Sequence, residues 1–117
     1  ALGCAQLEQL PDFIISKRRL FTRYKQAFAG FQDVHLFEEP SDCESNYWLE
    51  TLILGERIVE QRDEVLEATN DAGLMTRPVW QLMHQLEPYK KCPCAPLPFA
   101  ESVAQRLINL PSSAGLA

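Results

Sequence analysis

No apolar run in this 117-residue chain approaches the roughly 18 residues that a membrane helix needs. A block of basic charge is missing as well. Eleven Lys plus Arg are interspersed among sixteen Asp plus Glu, for a net charge of −5. Such a surface gives no electrostatic reason to bind DNA or RNA nonspecifically. Neither phosphate-cradling glycine pattern, G-x-G-x-x-G or G-x-x-x-x-G-K-[ST], is present. The nucleophile elbow G-x-S-x-G and the zinc-binding H-E-x-x-H are also absent. Histidine occurs only at His35 and His84, so a triad would have to recruit Ser41 or Cys43 to His84, and no spacing fixes that geometry. No internal repeat is visible. By spacing alone the chain carries no catalytic motif.

What is present describes one domain. Apolar residues make up 46% of the sequence, enough for a single sizeable core in a chain of this length. Leu7, Leu10, Ile14, Phe21, Tyr24 and Phe28 fall on one helical stripe. Pro11 reads as a first-turn residue, so two helical segments are expected to meet at Leu10-Pro11, with Gly30 as C-cap and Cys4 facing the core. The basic stretch Lys17, Arg18, Arg19, Arg23 and Lys25 reads as a solvated face. Val34–Phe37 and Tyr47–Leu54 are expected strands, the second apolar on both faces with Glu50 its only charge. Arg57–Ala72 is an expected helix closed by Gly73. Leu74–Val79 reads as a strand and Leu82–Leu86 as a helical turn, followed by a proline-punctuated loop through residues 87–98. A last helix starts at Pro98, with Phe99, Val103 and Leu107 on one stripe, and Asn109–Ala117 reads as an irregular ending. The class is α+β, a small antiparallel sheet of about three strands with helices mainly on one side and a long N-terminal helix.

The ends and the thiols carry further expectations. The opening ALGCAQLEQL has no basic n-region and no apolar h-region, which is unlike a signal peptide. Ala1 begins a helix-like pattern without the usual cap, which reads as a chain cut from a longer protein. Cys4, Cys43, Cys92 and Cys94 do not form a secreted disulfide framework. Cys92-Pro93-Cys94 with His84 nearby is short of zinc ligands, so free thiols in a reducing, cytoplasmic compartment are expected, and no metal.

One cluster bears chemistry. Thr76-Arg77-Pro78-Val79-Trp80 leads to His84, and Tyr89 follows. Arg is the natural partner of carboxylate or phosphate, and Trp offers a stacking surface. The plain alternative is a packed Trp, a surface Arg and a capping His.

At this cluster the chain resembles the C-terminal part of the DegT/DnrJ/EryC1/StrS family of nucleotide-sugar aminotransferases. The resemblance rests on ALGCAQLEQLPDFIISKRRLFTRY, then Ser45-Asn46-Tyr47-Trp48-Leu49, then Arg62-Asp63-Glu64-Val65-Leu66 with Gly73-Leu74-Met75-Thr76-Arg77-Pro78. His84 with Pro88-Tyr89 and the closing Ala100–Pro111 complete it in the family's order. The Arg-Pro-Val-Trp variant is most similar to the branch acting on 4-keto-6-deoxy sugars of nonulosonic-acid pathways.

The resemblance implies the small domain of a fold-type-I aminotransferase that depends on pyridoxal phosphate (PLP). Residues 1–30 would be the linker helix from a missing N-terminal, PLP-binding domain, and residues 31–117 the small domain. The Schiff-base lysine, the aspartate for the pyridine nitrogen and the main phosphate-binding groups would lie in the large domain. Lys17, Lys25, Lys90 and Lys91 match no lysine motif, so this piece alone is expected to bind no PLP and to contain no catalytic residue. The implied substrate contacts at the pocket rim are Arg77, Trp80 and His84, with Asn46 and Tyr47 as further candidates. The parent is expected to be a homodimer that takes a nucleotide-linked keto-deoxy sugar and, as amino donor, glutamate. The competing reading is a free-standing, ferredoxin-like α+β binding module.

Overall fold

The computed structural model describes residues 2–117. The expectation of an uncapped start at Ala1 lies outside them. The chain forms helix α1 (Leu2–Phe28), strand β1 (Val34–Leu36), strand β2 (Glu50–Leu54), helix α2 (Arg62–Asp71), strand β3 (Arg77–Pro78), helix α3 (Pro98–Arg106) and strand β4 (Leu107–Leu110). Short 3₁₀ segments cover Glu56–Gln61, Met83–Gln85, Glu87–Tyr89 and Ala114–Leu116.

The four strands form one antiparallel sheet in the order β1-β2-β4-β3. Its register places Leu54 opposite Val34, and Leu52 opposite both Leu36 and Ile108. These side chains therefore share a face. Leu52, Leu54 and Ile108 are buried there, with Phe28 of α1, Ile58, and Val65 and Leu66 of α2 packed against them. Burying each such side chain contributes roughly 1.5–3 kcal/mol. On the opposite face Thr51, Ile53 and Leu107 are half-buried, and His35 and Arg77 are exposed.

Several local expectations are corrected. The N-terminal helix is one unbroken element with Pro11 inside it. The missing N–H at Pro11 frees the Leu7 carbonyl, and residues 2–12 are exposed, so water can reach it. Leu7, Leu10 and Cys4 are exposed, and packing on this helix begins at Phe13 and Ile14. Gly30 lies in a turn without a left-handed φ. Gly73 does have one, φ 80°, and closes α2 with Leu74 N–H donating to Thr69 O and Gly73 N–H to Asn70 O. The segment after Gly55 opens as 3₁₀ helix, and α2 starts only at Arg62, because Ile58 leaves helical geometry at φ −121°, ψ 17°. The strand expected over Leu74–Val79 shrinks to Arg77–Pro78. Phe99 is 80% exposed, and Leu107 belongs to β4 rather than to the last helix. β4 is the strand absent from the sequence reading, and it is central.

The basic stretch of α1 is solvated only in part: Arg19, Arg23 and Lys25 are exposed, whereas Lys17 and Arg18 are half-buried. Lys17 Nζ donates to the carbonyls of Tyr47 (3.0 Å), Trp48 (3.3 Å) and Ser112. Arg18 makes a two-pronged bond to Glu39 at 2.8 and 3.1 Å and reaches Ser45 O at 2.7 Å. Arg23 donates to Leu116 O at 2.9 Å, and Lys25 pairs with Glu38 at 2.6 Å. Carbonyls just outside the strands have no ladder partner, and these long cations supply one. They fasten α1 to the loop before β2 and to the segment after β4.

Candidate substrate-facing site

The approach to β2 turns sharply at Tyr47, whose φ of 46° is left-handed. A bulky residue there costs roughly 1–2 kcal/mol. It is held by Tyr47 N–H donating to Ser45 Oγ at 3.0 Å, Trp48 N–H donating to Asn46 Oδ1 at 2.9 Å, and Lys17 on the carbonyls of both aromatic residues. The expected strand over Tyr47–Leu54 accordingly starts at Glu50.

The turn sends two neighbouring rings in different directions. Tyr47 is 6% exposed, stacks on Phe21 with centroids 4.4 Å apart, and has the Arg18 guanidinium 5.3 Å from its ring centre. Burial pushes its phenol up from the usual tyrosine range. Trp48 instead stacks on Trp80 at 5.9 Å with an interplanar angle of 27°, and each indole is 65% exposed.

Arg77 and Trp80 border a cavity of about 510 Å³ together with Leu49, Met75, Asn109 and Ser112. Arg77 is exposed, and among the described residues no carboxylate pairs with it. Its strand is anchored on both sides. Buried Thr76 bonds Thr69 Oγ1 at 2.6 Å and accepts from Asn70 Nδ2 at 3.0 Å. Asn109, opposite Arg77, takes a bond from Thr51 Oγ1 at 3.1 Å and gives one to Pro78 O at 3.5 Å. Asn46 and Trp48 border a second cavity, of about 300 Å³, with Leu10, Phe13 and Lys17. The stacked indoles stand between the two.

Of the five expected contacts, Arg77, Trp80 and Asn46 thus gather around Trp48. Asn46 already spends its side-chain oxygen on the turn. Tyr47 points into the core. His84 lies elsewhere, with Nε2 3.0 Å from Glu101 Oε1, in a cavity of about 330 Å³ shared with Tyr89, Cys92 and Cys94. Among the described residues no three His, Cys, Asp or Glu side chains converge on a metal position, and the four cysteines are free and exposed.

Two residues were missed. Trp48 read as a strand residue, and its signal is that the chain has only two tryptophans. Glu50 was passed over as the strand's single charge, yet it is 1% exposed and neither carboxylate oxygen has a hydrogen-bond partner among the described residues. Burial pushes its carboxyl up to about 7, with Lys17 pulling the other way. Lys17 itself is lowered by burial, against the opposing pull of Glu50.

Three of the four lysines have partners. Lys17 borders a cavity but spends its ammonium on three carbonyls, Lys25 pairs with Glu38 and Lys90 with Glu87, and Lys91 is exposed.

Comparison with known proteins gives a consistent result. Residues 1–117 match the model of the DegT/DnrJ/EryC1/StrS aminotransferase family. The chain is 36% identical over 116 residues to the GDP-perosamine synthase of Escherichia coli O157:H7, a match covering 96% of this chain and 29% of that protein. It is 31% identical over 83 residues to EpsN of Bacillus subtilis, named as a pyridoxal phosphate-dependent aminotransferase, covering 71% of this chain and 21% of EpsN. The crystal structure of DesI, obtained in the presence of its TDP-sugar product, superposes with a TM-score of 0.89 at 28% identity, covering 98% of this chain and 30% of DesI. The chain therefore spans less than a third of the length of these relatives.

Proposed function

The chain belongs to the DegT/DnrJ/EryC1/StrS aminotransferase family, and from that premise we propose that it is the small-domain part of a PLP-dependent enzyme. That enzyme transfers an amino group, from glutamate, to a keto-deoxy sugar carried on a nucleotide. Residues 1–30 lead in from an N-terminal domain that holds the cofactor, its lysine and its phosphate, and residues 31–117 wall the substrate pocket. The parent works as a cytoplasmic homodimer. PLP supplies the electron sink when bound, and this chain's own residues bind and orient the sugar nucleotide. Arg77 holds an anionic group, Trp80 packs a ring, and Asn46 shapes the rim through Trp48. Tyr47 fixes the turn that leads into Trp48, and His84 stands apart, paired with Glu101 in its own cavity.

The observation that carries this reading is Arg77, without a carboxylate partner among the described residues, and exposed Trp80 on one 510 Å³ cavity. In the product of the complete gene, Arg77→Ala is expected to raise KM for one substrate several-fold and to leave the absorbance of bound cofactor unchanged. The isolated 117-residue chain is expected to show no amino transfer. Unaltered kinetics in Arg77→Ala would remove Arg77 from the site, and amino transfer by the isolated chain would overturn the division of labour.

A further inference from the structure

We propose that Trp48, Trp80 and Arg77 form the nucleotide subsite of this wall: the base lies on the exposed indole stack and the diphosphate on the Arg77 guanidinium. The inference rests on the sugar-nucleotide reading above and assigns the part of the substrate that this chain holds.

The first ground is the stack itself. Two indoles from distant segments meet at 5.9 Å and 27°, and each stays 65% exposed. Burying an aromatic side chain is among the largest stabilising contributions available, and within this chain neither indole receives it. The chain's only two tryptophans are both spent here.

The second ground is rigidity. Trp48 is fixed through its N–H to Asn46 Oδ1 at 2.9 Å, and through its carbonyl to Ser112 Oγ at 2.7 Å and Lys17 Nζ at 3.3 Å. Trp80 follows a strand whose Pro78 sits opposite Ile108 at the centre of the sheet. A platform held in this way loses little freedom on binding a flat ring.

The third ground is charge. Among the described residues, Arg77 is the only charged one lining the 510 Å³ cavity beside Trp80. In a chain of net charge −5, a cavity with one cation and no carboxylate selects an anion. Arg presents a planar fork that matches phosphate. A flat ring joined to phosphate groups satisfies both features at once, and a nucleoside diphosphate is such a molecule. Any base can stack, because every base has a π-face.

The same two features would also accept the ring and phosphate of PLP, so the test separates the two sources. Calorimetric titration of the complete, cofactor-loaded protein with GDP, UDP and dTDP is expected to saturate, with inorganic pyrophosphate and free guanosine each binding about tenfold or more weakly. Arg77→Ala is expected to weaken GDP about tenfold and to leave guanosine unaffected. Trp80→Leu is expected to weaken GDP and guanosine alike. Circular dichroism and thermal midpoints equal to the parent's establish that the variants are folded. No binding of any nucleotide, displacement of GDP by added free PLP, or GDP binding indifferent to Arg77→Ala would each overturn the subsite. Because the readout is binding, the outcomes separate. Amino transfer in the complete protein without nucleotide binding here leaves the function and removes the subsite. Nucleotide binding without amino transfer does the reverse.

Discussion

Tyr47 and Trp48 are neighbours in sequence, and each stacks on an aromatic ring from another segment. The Tyr47–Phe21 stack is tight, 4.4 Å, and dry, with Tyr47 6% exposed. The Trp48–Trp80 stack is looser, 5.9 Å, and wet, with both rings 65% exposed. The two rings leave the backbone in opposite directions at a turn where Tyr47 has φ 46°. The same interaction therefore has two uses. Enclosed, it locks α1 to the turn before β2; open, it presents a rigid flat surface whose Trp80 shares a cavity with Arg77.

That contrast can be broken at four places. Phe21→Ala is expected to have the largest effect, a loss of roughly 3–5 kcal/mol in urea unfolding, since it removes half of the dry stack and leaves a cavity. Lys17→Met comes next, at roughly 2–4 kcal/mol, because three carbonyls lose their donor and buried Glu50 loses its opposing charge. It should also shift the tryptophan emission, since the Trp48 carbonyl is one of the three.

Glu50 gives a pH signature. Its carboxyl is raised to about 7 in the fold, above its ordinary value of 4.5, so the folded state holds the proton more tightly than the unfolded chain. Stability is fully present below about 4.5 and is lost as pH rises through 7, by about 3 kcal/mol in all. Unfolding midpoints measured from pH 4.5 to 8 should fall accordingly, and Glu50→Gln should flatten the slope. A midpoint independent of pH in the parent chain would show that Glu50 is solvated. Trp80→Leu is expected to have the smallest effect, within about 0.5 kcal/mol, as befits an exposed position.

Much of the fold was legible because its signals are local. The stripe from Ile14 to Phe28 marked the long helix, Pro98 marked the start of α3, and Gly73 marked the left-handed end of α2. The parts that were not legible depend on pairing. Leu107–Leu110 continues the apolar spacing of α3 and becomes a strand only because β2 lies ready on one side and β3 on the other. The reach of Lys17 and Arg18 is equally non-local, since their acceptors lie 21 to 95 residues away along the chain. In the candidate site, Arg77 and Trp80 were visible as a cluster of chemistry-bearing residues within four positions. Trp48 was not, because its pairing with Trp80 joins two segments distant in sequence, and the positive φ at Tyr47 just before it is one that bulky residues seldom occupy.

The most direct test of this division between a dry stack and a wet one is the thermal midpoint of Trp80→Leu with and without GDP, measured beside the parent chain. The midpoint without ligand should equal the parent's, and the rise that GDP produces in the parent should be absent. A lowered midpoint without ligand, together with a GDP-induced rise as large as the parent's, would contradict the account.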